Sequence, residues 1–362
     1  MYLTGIRSHP AGIPEVLCLA VFVFCLATPV WALVFPETEL KVFQFPPDQI
    51  PRIDGDPSDW DIVPAEYVYG TDMMLDVEGG RNAPVDLKDL DIRVRVGWVE
   101  GLNRLYFLYE AYDNYWDFEG PGLHNDMFEV SVDADLSGGE FIYADYPRRI
   151  FLQNSHAQNH HICTPAVGKS PAMVWNCPAW AAKLPWANYV CRYEFRPGES
   201  GRLVMECWIT PFDLLSFDGP EHSRVSTLRE NTVIGLSWLV ADWDGGKTRH
   251  ALPSLSHDVR QVLDASFLRP FRLMPLEERF RKPFEAFYTI TILDPERRVV
   301  AFTDRSRGEI TGWRWEFGDG DVSRERNPVH HYEHQGEYDV TLTIEGPSGT
   351  SRYTTLWEVL LK

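Results

Sequence analysis

Short runs of alternating apolar and polar residues recur along this chain of 362 residues: DIRVRVGWV from Asp91, RLYFLYEAY from Arg104, MFEVSVDAD from Met127 and NTVIGLSWLV from Asn231. A period of two sends successive side chains to opposite faces, so each run predicts a strand with a buried face. Turn residues fill the gaps between them. No segment carries a long helical stripe, and PFDLLSF from Pro211 offers one helical turn at most. Many short strands with Gly and Pro punctuation predict an all-β chain of two β-sandwiches. Two stretches break the pattern. Residues 153–188, rich in His, Pro and Trp, read as a long insertion between strands, and such insertions are often functional. The charged PLEERFRKP from Pro275 makes 276–284 an interdomain linker, after which FYTITIL starts new strands.

The first 32 residues stand outside the fold. A polar head with Arg7 precedes the apolar run VLCLAVFVFCLATPVWA, which ends in Val30-Trp31-Ala32. This predicts a secretory signal peptide over 1–32, too short for a membrane span and without a basic stop after it. Neither Cys18 nor Cys25 follows the small residue of a lipoprotein signal. The expectation is a free exported protein, secreted, periplasmic or at the cell surface, with no membrane span after cleavage.

The net charge of −19 survives removal of that segment, because Arg7 and Glu15 cancel. So acidic a surface repels phosphate backbones, which excludes nucleic acid and anionic membranes as partners. Neutral and cationic ligands remain. The 13 tryptophans suit sugar-gripping surfaces and sandwich cores alike.

Four cysteines follow the signal: Cys163, Cys177, Cys191 and Cys207. NYVCRYEF and RLVMECWI flank Pro-Gly-Glu-Ser-Gly, a hairpin signal. Centring the turn on Glu199 sets Phe195 opposite Leu203, Tyr193 opposite Met205, Cys191 opposite Cys207 and Arg192 opposite Glu206. A Cys191–Cys207 disulfide follows if that pair is of the narrow kind, with two buried thiols as the alternative. Cys163 and Cys177 would then pair by default.

Near the C-terminus, WRWEFGDGDVS poses a choice between a ligand loop and a hairpin turn. A phosphate loop needs a Lys and a following helix, and a calcium loop needs acids at further fixed offsets. Neither pattern is present, so Gly318, Asp319, Gly320 and Asp321 read as a turn. Trp315 and Phe317 alternate onto one face. Tyr338, Val340, Leu342 and Ile344 form a second alternating strand, and Tyr332 is placed to pin a corner with its hydroxyl. W-x-F-G-D-G, N-P and Y-x-x-x-G-x-Y-x-V-x-L together resemble a PKD domain, over 285–362. The resemblance implies a small immunoglobulin-like sandwich acting as a spacer or weak contact module, not as a catalyst.

PRIDGDPSDWDIV from Pro51 resembles the opening of the family 9 carbohydrate-binding modules and their DOMON-like relatives. Further pieces match in order: the strands that end in Asp113, HNDMFEVSVDAD with Asp126, Glu129 and Asp133, the strand ending in Asp242, and RPFRLM as the closing strand. The resemblance covers about 40–275 and implies a larger, jelly-roll-type sandwich that holds a glycan between aromatic side chains. The usual aromatic positions are not kept: one falls near Leu123, and the loop SLSHDVRQVLDASF has no Trp or Tyr. Trp116 could take the first place, and Trp243, Trp175, Trp180 or Trp186 the second. Trp116, Asp126 and Trp243 are therefore the carbohydrate-binding candidates.

Asp133, Asp135 and Ser137 form half a calcium loop, but Ala144 stands where the bidentate Glu belongs. The expectation is therefore no cofactor and a plain turn, with calcium at Asp133, Asp135 and Ser137 as the alternative. His156, His160 and His161 would suit zinc or copper on a helix, or a solvated loop. No catalytic motif stands out. The reading is a non-enzymatic exported protein that holds a polysaccharide or glycan. The alternatives are an envelope assembly protein that contacts other envelope proteins, and a haem-binding redox module using Met127 or the histidines.

Overall fold

The computed structural model describes residues 33–34, 38–246, 248–294 and 296–359, so the predicted signal segment, 1–32, lies outside the described residues. The architecture is all-β, as the alternation predicts. Its α-helix among the described residues is a single turn, Arg148–Phe151. None of the described helices is long and apolar enough to cross a membrane.

The first sandwich has two sheets joined along one strand. Leu40–Gln44 pairs parallel with Arg269–Leu273 through its first half and with Leu90–Trp98 through its second. One layer runs Leu90–Trp98, Leu105–Asp113, Gly201–Ile209, Ala187–Tyr193, all antiparallel. The other runs Arg269–Leu273, Val233–Ala241, Met127–Asp133, Gln158–Cys163, Ala172–Val174. Phe107, Tyr109, Phe128, Trp98, Trp238 and Phe271 fill the space between them and are fully buried. Burying each such ring contributes on the order of 2–3 kcal/mol.

Three sequence expectations change here. The stretch 153–188 is not irregular: it carries two strands of the second sheet. Gln158–Cys163 is buried on both faces, so polar and apolar side chains are both enclosed and no alternation shows. PFDLLSF forms a short strand, Phe212–Leu214, paired with Arg224–Val225. The hairpin around Glu199 is slipped by two residues. Cys191 faces Met205, Tyr189 faces Cys207, and Arg192 faces Val204. The cause is Phe195, which leaves the ladder to stack on Trp116 at 4.8 Å and packs where a Cβ on Gly201 would stand. A slip of two keeps every side chain on its expected face, but it separates Cys191 from Cys207. All four cysteines are free thiols, and burial pushes Cys177 and Cys191 up to about 12.

The C-terminal sandwich packs Tyr288–Asp294, Val299–Asp304 and Val329–His331 against Val322–Ser323, Gly312–Glu316, Gly336–Gly346 and Gly349–Val359. Trp315, Tyr332, Val340, Leu342 and Ile344 are fully buried, and Tyr338 packs at the edge of this core. Tyr332 donates its hydroxyl to the Phe317 carbonyl at 3.2 Å, the corner pin that its position suggests. The turn after Phe317 is closed by its own contacts. Asp319 accepts from the Asp321 N–H at 3.0 Å and contacts His330 Nε2 at 2.6 Å, while Gly318 and Gly320 take φ of 87° and 104°.

Residues 276–284 do not hang free. Leu276 is buried, Phe280 packs edge-on against Phe43 at 6.2 Å, and Lys282 pairs with Asp48.

Candidate functional site

The opening motif of the first sandwich is a clasp. Glu206, fully buried, accepts from Trp60 Nε1 at 2.8 Å, Gly55 N at 2.6 Å and Asp54 N at 3.1 Å. Gly55 has φ 81°, and a Cβ there would strike the Arg192 side chain at 2.6 Å. The I-D-G-x-x-x-D-W pattern thus anchors the chain entry to a strand of the first sheet.

Two of the expected sugar contacts are interior. Trp116 is 1% exposed, stacked on Phe195, with its indole N–H on the Gly201 carbonyl at 3.1 Å. A buried ring offers no face to a ligand, so Trp116 is a core residue. Asp126 is equally buried, and its carboxylate accepts from the backbone of Trp243 at 2.7 Å and Asp117 at 2.6 Å. Trp243 is 8% exposed, and its ring stacks on His124 at 4.7 Å. These three residues tie the loops of one end together and present little surface.

Asp126 has company that sequence spacing could not reveal. Asp113, at the end of one strand, and Asp242, just after another, bring a carboxylate oxygen each to within 4.8 Å of Asp126 and of one another. Burial, and then the neighbouring carboxylates, push Asp242 up to about 9. Burial likewise raises Asp113 to about 7 and Asp126 well above the ordinary carboxylate range. Nearer the surface, His250 lies 3.0 Å from Asp89 and 3.1 Å from Asp244. A shallow cavity of about 540 Å³ opens there, bounded by Glu78, Arg81, Asp244, Thr248, Arg249 and His250.

A polar face continues from that cavity across the back of the second sheet. Glu129 and His161 are cross-strand partners, their side chains 3.4 Å apart. Burial alone would raise Glu129, yet His161, Asn159 and Arg249 hold it below its ordinary value. On the same face by register, both ring nitrogens of His161, Asn159 Oδ1 and Ser237 Oγ are buried without a hydrogen-bond partner. Trp175, partly exposed, lies 5.2 Å from the His161 ring at 32°.

The half calcium loop is a turn closed by its own backbone. Asp133 accepts from Gly138 N at 2.8 Å and Ser137 N at 3.3 Å, and Asp135 accepts from Ser137 N at 3.1 Å. N–H groups occupy the carboxylate edges that a cation would need. The three histidines form no common site either. His160 and His161 are adjacent on a strand and point to opposite faces, which leaves His160 on the core side, pushed down to about 3 by burial. Met127 packs on the outer face with Leu239, Ala241 and Trp243, while the inter-sheet space that haem would need is filled by aromatic side chains.

Residues 290–359 match a family model described as the PKD domain. The C-terminal sandwich is a PKD domain. Among curated proteins, collagenase ColQ1 of Bacillus cereus (strain Q1) is 48% identical over 42 residues, 12% of this chain and 4% of its own length. The microbial collagenase of Vibrio alginolyticus is 38% identical over 56 residues, 15% of this chain and 7% of its own. The chain thus spans only a small fraction, 4% and 7%, of these curated relatives. Among solved structures, a family 9 carbohydrate-binding module from Caldicellulosiruptor kristjanssonii in complex with glucose has a TM-score of 0.44 at 13% identity, covering 67% of this chain and 98% of that one. The PKD1 domain of Vibrio anguillarum Epp has a TM-score of 0.21 at 26% identity, covering 22% of this chain and 98% of that one.

Proposed function

We propose that this is an exported, non-catalytic glycan-binding protein whose first sandwich holds the ligand and whose PKD domain acts as a spacer. The observation that carries the reading is the outer face of the second sheet. There a partly exposed Trp175 sits against His161, the cross-strand partner of Glu129, beside buried polar atoms without a hydrogen-bond partner. A sugar ring needs an apolar plate beneath it and fixed donors and acceptors at its edge. Trp175 supplies the plate. Arg249, partly exposed, offers donors for the ring edge, while Glu129, Asn159 and His161, which are buried, position the plate from beneath. The order of motifs that resembles family 9 modules supports the ligand class. Trp175, and not Trp116, is the aromatic that this geometry offers to a ligand.

The test is a polysaccharide array followed by affinity electrophoresis. Wild type should bind at least one neutral polysaccharide, and Trp175→Ala should weaken that binding by about tenfold or more with little change in melting, the loss of one stacked ring. Silence of the wild type across plant, algal and bacterial glycans would favour the envelope-assembly alternative.

A further inference from the structure

A second cavity, of about 540 Å³, opens where the two sandwiches meet, and glycan binding on the outer face does not use it. The first sandwich contributes Gln44 and Phe45 at the end of its joining strand, part of the turn 99–103 and the loop 227–229. Asn103 Oδ1 accepts from Leu228 N at 3.1 Å and so ties that loop to that turn. The PKD side contributes Glu285, Phe287, Arg305 and Arg307. Their backbones are paired: Glu285 N donates to the Arg307 carbonyl at 3.1 Å, and Arg305 N to that of Phe287 at 2.8 Å.

The charges here run against the chain's net −19. Arg229, Arg305 and Arg307 line the cavity, with Glu100 and Glu285 as its acids. Both acids are already matched: Glu100 lies 3.5 Å from Arg307, and Glu285 Oε1 lies 3.3 Å from Lys282. Arg229 and Arg305 are exposed and pair with no carboxylate among the described residues. Gln44 and Glu285, by contrast, are 3% and 5% exposed, yet Gln44 Oε1 and Glu285 Oε2 are buried without a hydrogen-bond partner. Such acceptors are costly unless a donor reaches them. Phe45 and Phe287, both buried, line the same space.

We propose that this cavity binds a hexuronate, a sugar that carries a carboxylate, held jointly by the two sandwiches. The carboxylate meets the guanidinium groups of Arg229 and Arg305 in charge-assisted bonds. The hydroxyls donate to Gln44 Oε1 and Glu285 Oε2, and the apolar ring face rests on the phenyl walls. A bare anion such as sulfate has no donor for the buried acceptors, and a neutral sugar leaves both arginines unmatched. The volume lies within the range of small-molecule sites, about 300–1,000 Å³. Charges elsewhere on the acidic surface are screened beyond about 8 Å at physiological salt, so the local arginines decide. The site is independent of Trp175 and the outer face.

The full chain is titrated calorimetrically with glucuronic and galacturonic acid, with glucose, sulfate and an acidic tetrapeptide as comparisons. At least one uronate should bind about tenfold more tightly than any comparison. Arg305→Ala and Arg229→Ala, both at exposed positions, should each weaken it by about tenfold with unchanged melting. Raising NaCl to about 0.5 M should weaken wild-type binding, and Trp175→Ala should leave it intact. The proposal is overturned if neither uronate binds at about 10 mM, or if glucose, sulfate or the peptide binds as tightly. It is equally overturned if either folded arginine variant keeps wild-type affinity, if binding ignores salt, or if Trp175→Ala removes it, which would move the ligand to the outer face.

Discussion

At the scale of single residues, two acidic groups with opposite surroundings make opposite predictions. Glu206 is a buried carboxylate with three donors, so Glu206→Ala leaves the Trp60 indole and two backbone N–H groups unpaired. The expected cost is about 3 kcal/mol or more, read as a fall in urea midpoint at unchanged slope. A neutral result would mean that the opening motif is held by something other than this clasp. Asp113 and Asp242 instead have too few donors and are raised to about 7 and about 9. The folded chain therefore keeps protons that an unfolded carboxylate, with its pKa near ~3.9, has already lost. Their contribution is complete below that value and disappears as pH rises through 7 and then 9. The urea midpoint should fall between pH 5 and pH 9. A midpoint that climbs over this window would show that the cluster is not protonated in the folded chain.

At the scale of elements, the FGDG turn separates space from backbone strain. Gly318 and Gly320 both have positive φ, but a Cβ on Gly318 would meet the Asp339 carbonyl oxygen at 2.9 Å, whereas Gly320 has nothing within 4 Å. Gly320→Ala should cost about 1 kcal/mol and Gly318→Ala clearly more, a ranking that chemical denaturation resolves. Equal losses would mean that the turn relaxes around the added methyl. This turn was legible in the sequence because its residue types follow from local dihedral needs. The strands from Asp91 to Asp133 were legible because one face alternates. Gln158–Cys163 was not, since a strand enclosed on both faces loses its period, and Gln, Asn and His look like loop residues until their surroundings are seen. Hairpin faces were readable while the register was not, because Phe195 answers to Trp116, far away in sequence. The same holds for the site. Asp113, Asp126 and Asp242 each end a recognisable motif, but only the sheet order brings them together, and Trp116 looked available because its partner was invisible.

At the scale of the whole molecule, the question is whether the PKD domain swings on a tether. The side chains argue against it. One apolar cluster contains Phe43, Phe45, Trp60, Tyr106 and Trp208 from the first sandwich together with Phe287, Tyr288, Phe302 and Trp315 from the second. Phe280 of the connecting segment packs on Phe43, Arg279 donates to the Ile62 carbonyl at 3.1 Å, and Arg307 reaches Glu100 at 3.5 Å. On the proposed function, a spacer built this way would set a fixed distance and direction for the outer face of the second sheet, where a flexible linker would set only a radius. Shared burial also couples the two stabilities, since opening either sandwich exposes apolar surface of the other. Calorimetry of the intact chain should therefore show one transition, with equal calorimetric and van't Hoff enthalpies. Phe43→Ala, at a position with 0% exposure, should lower that single transition as a whole, by about 3–5 kcal/mol of stability. Two resolved transitions in the wild type, or a Phe43→Ala variant in which the PKD domain melts unchanged, would show that the common cluster does not bind the two sandwiches into one folding unit.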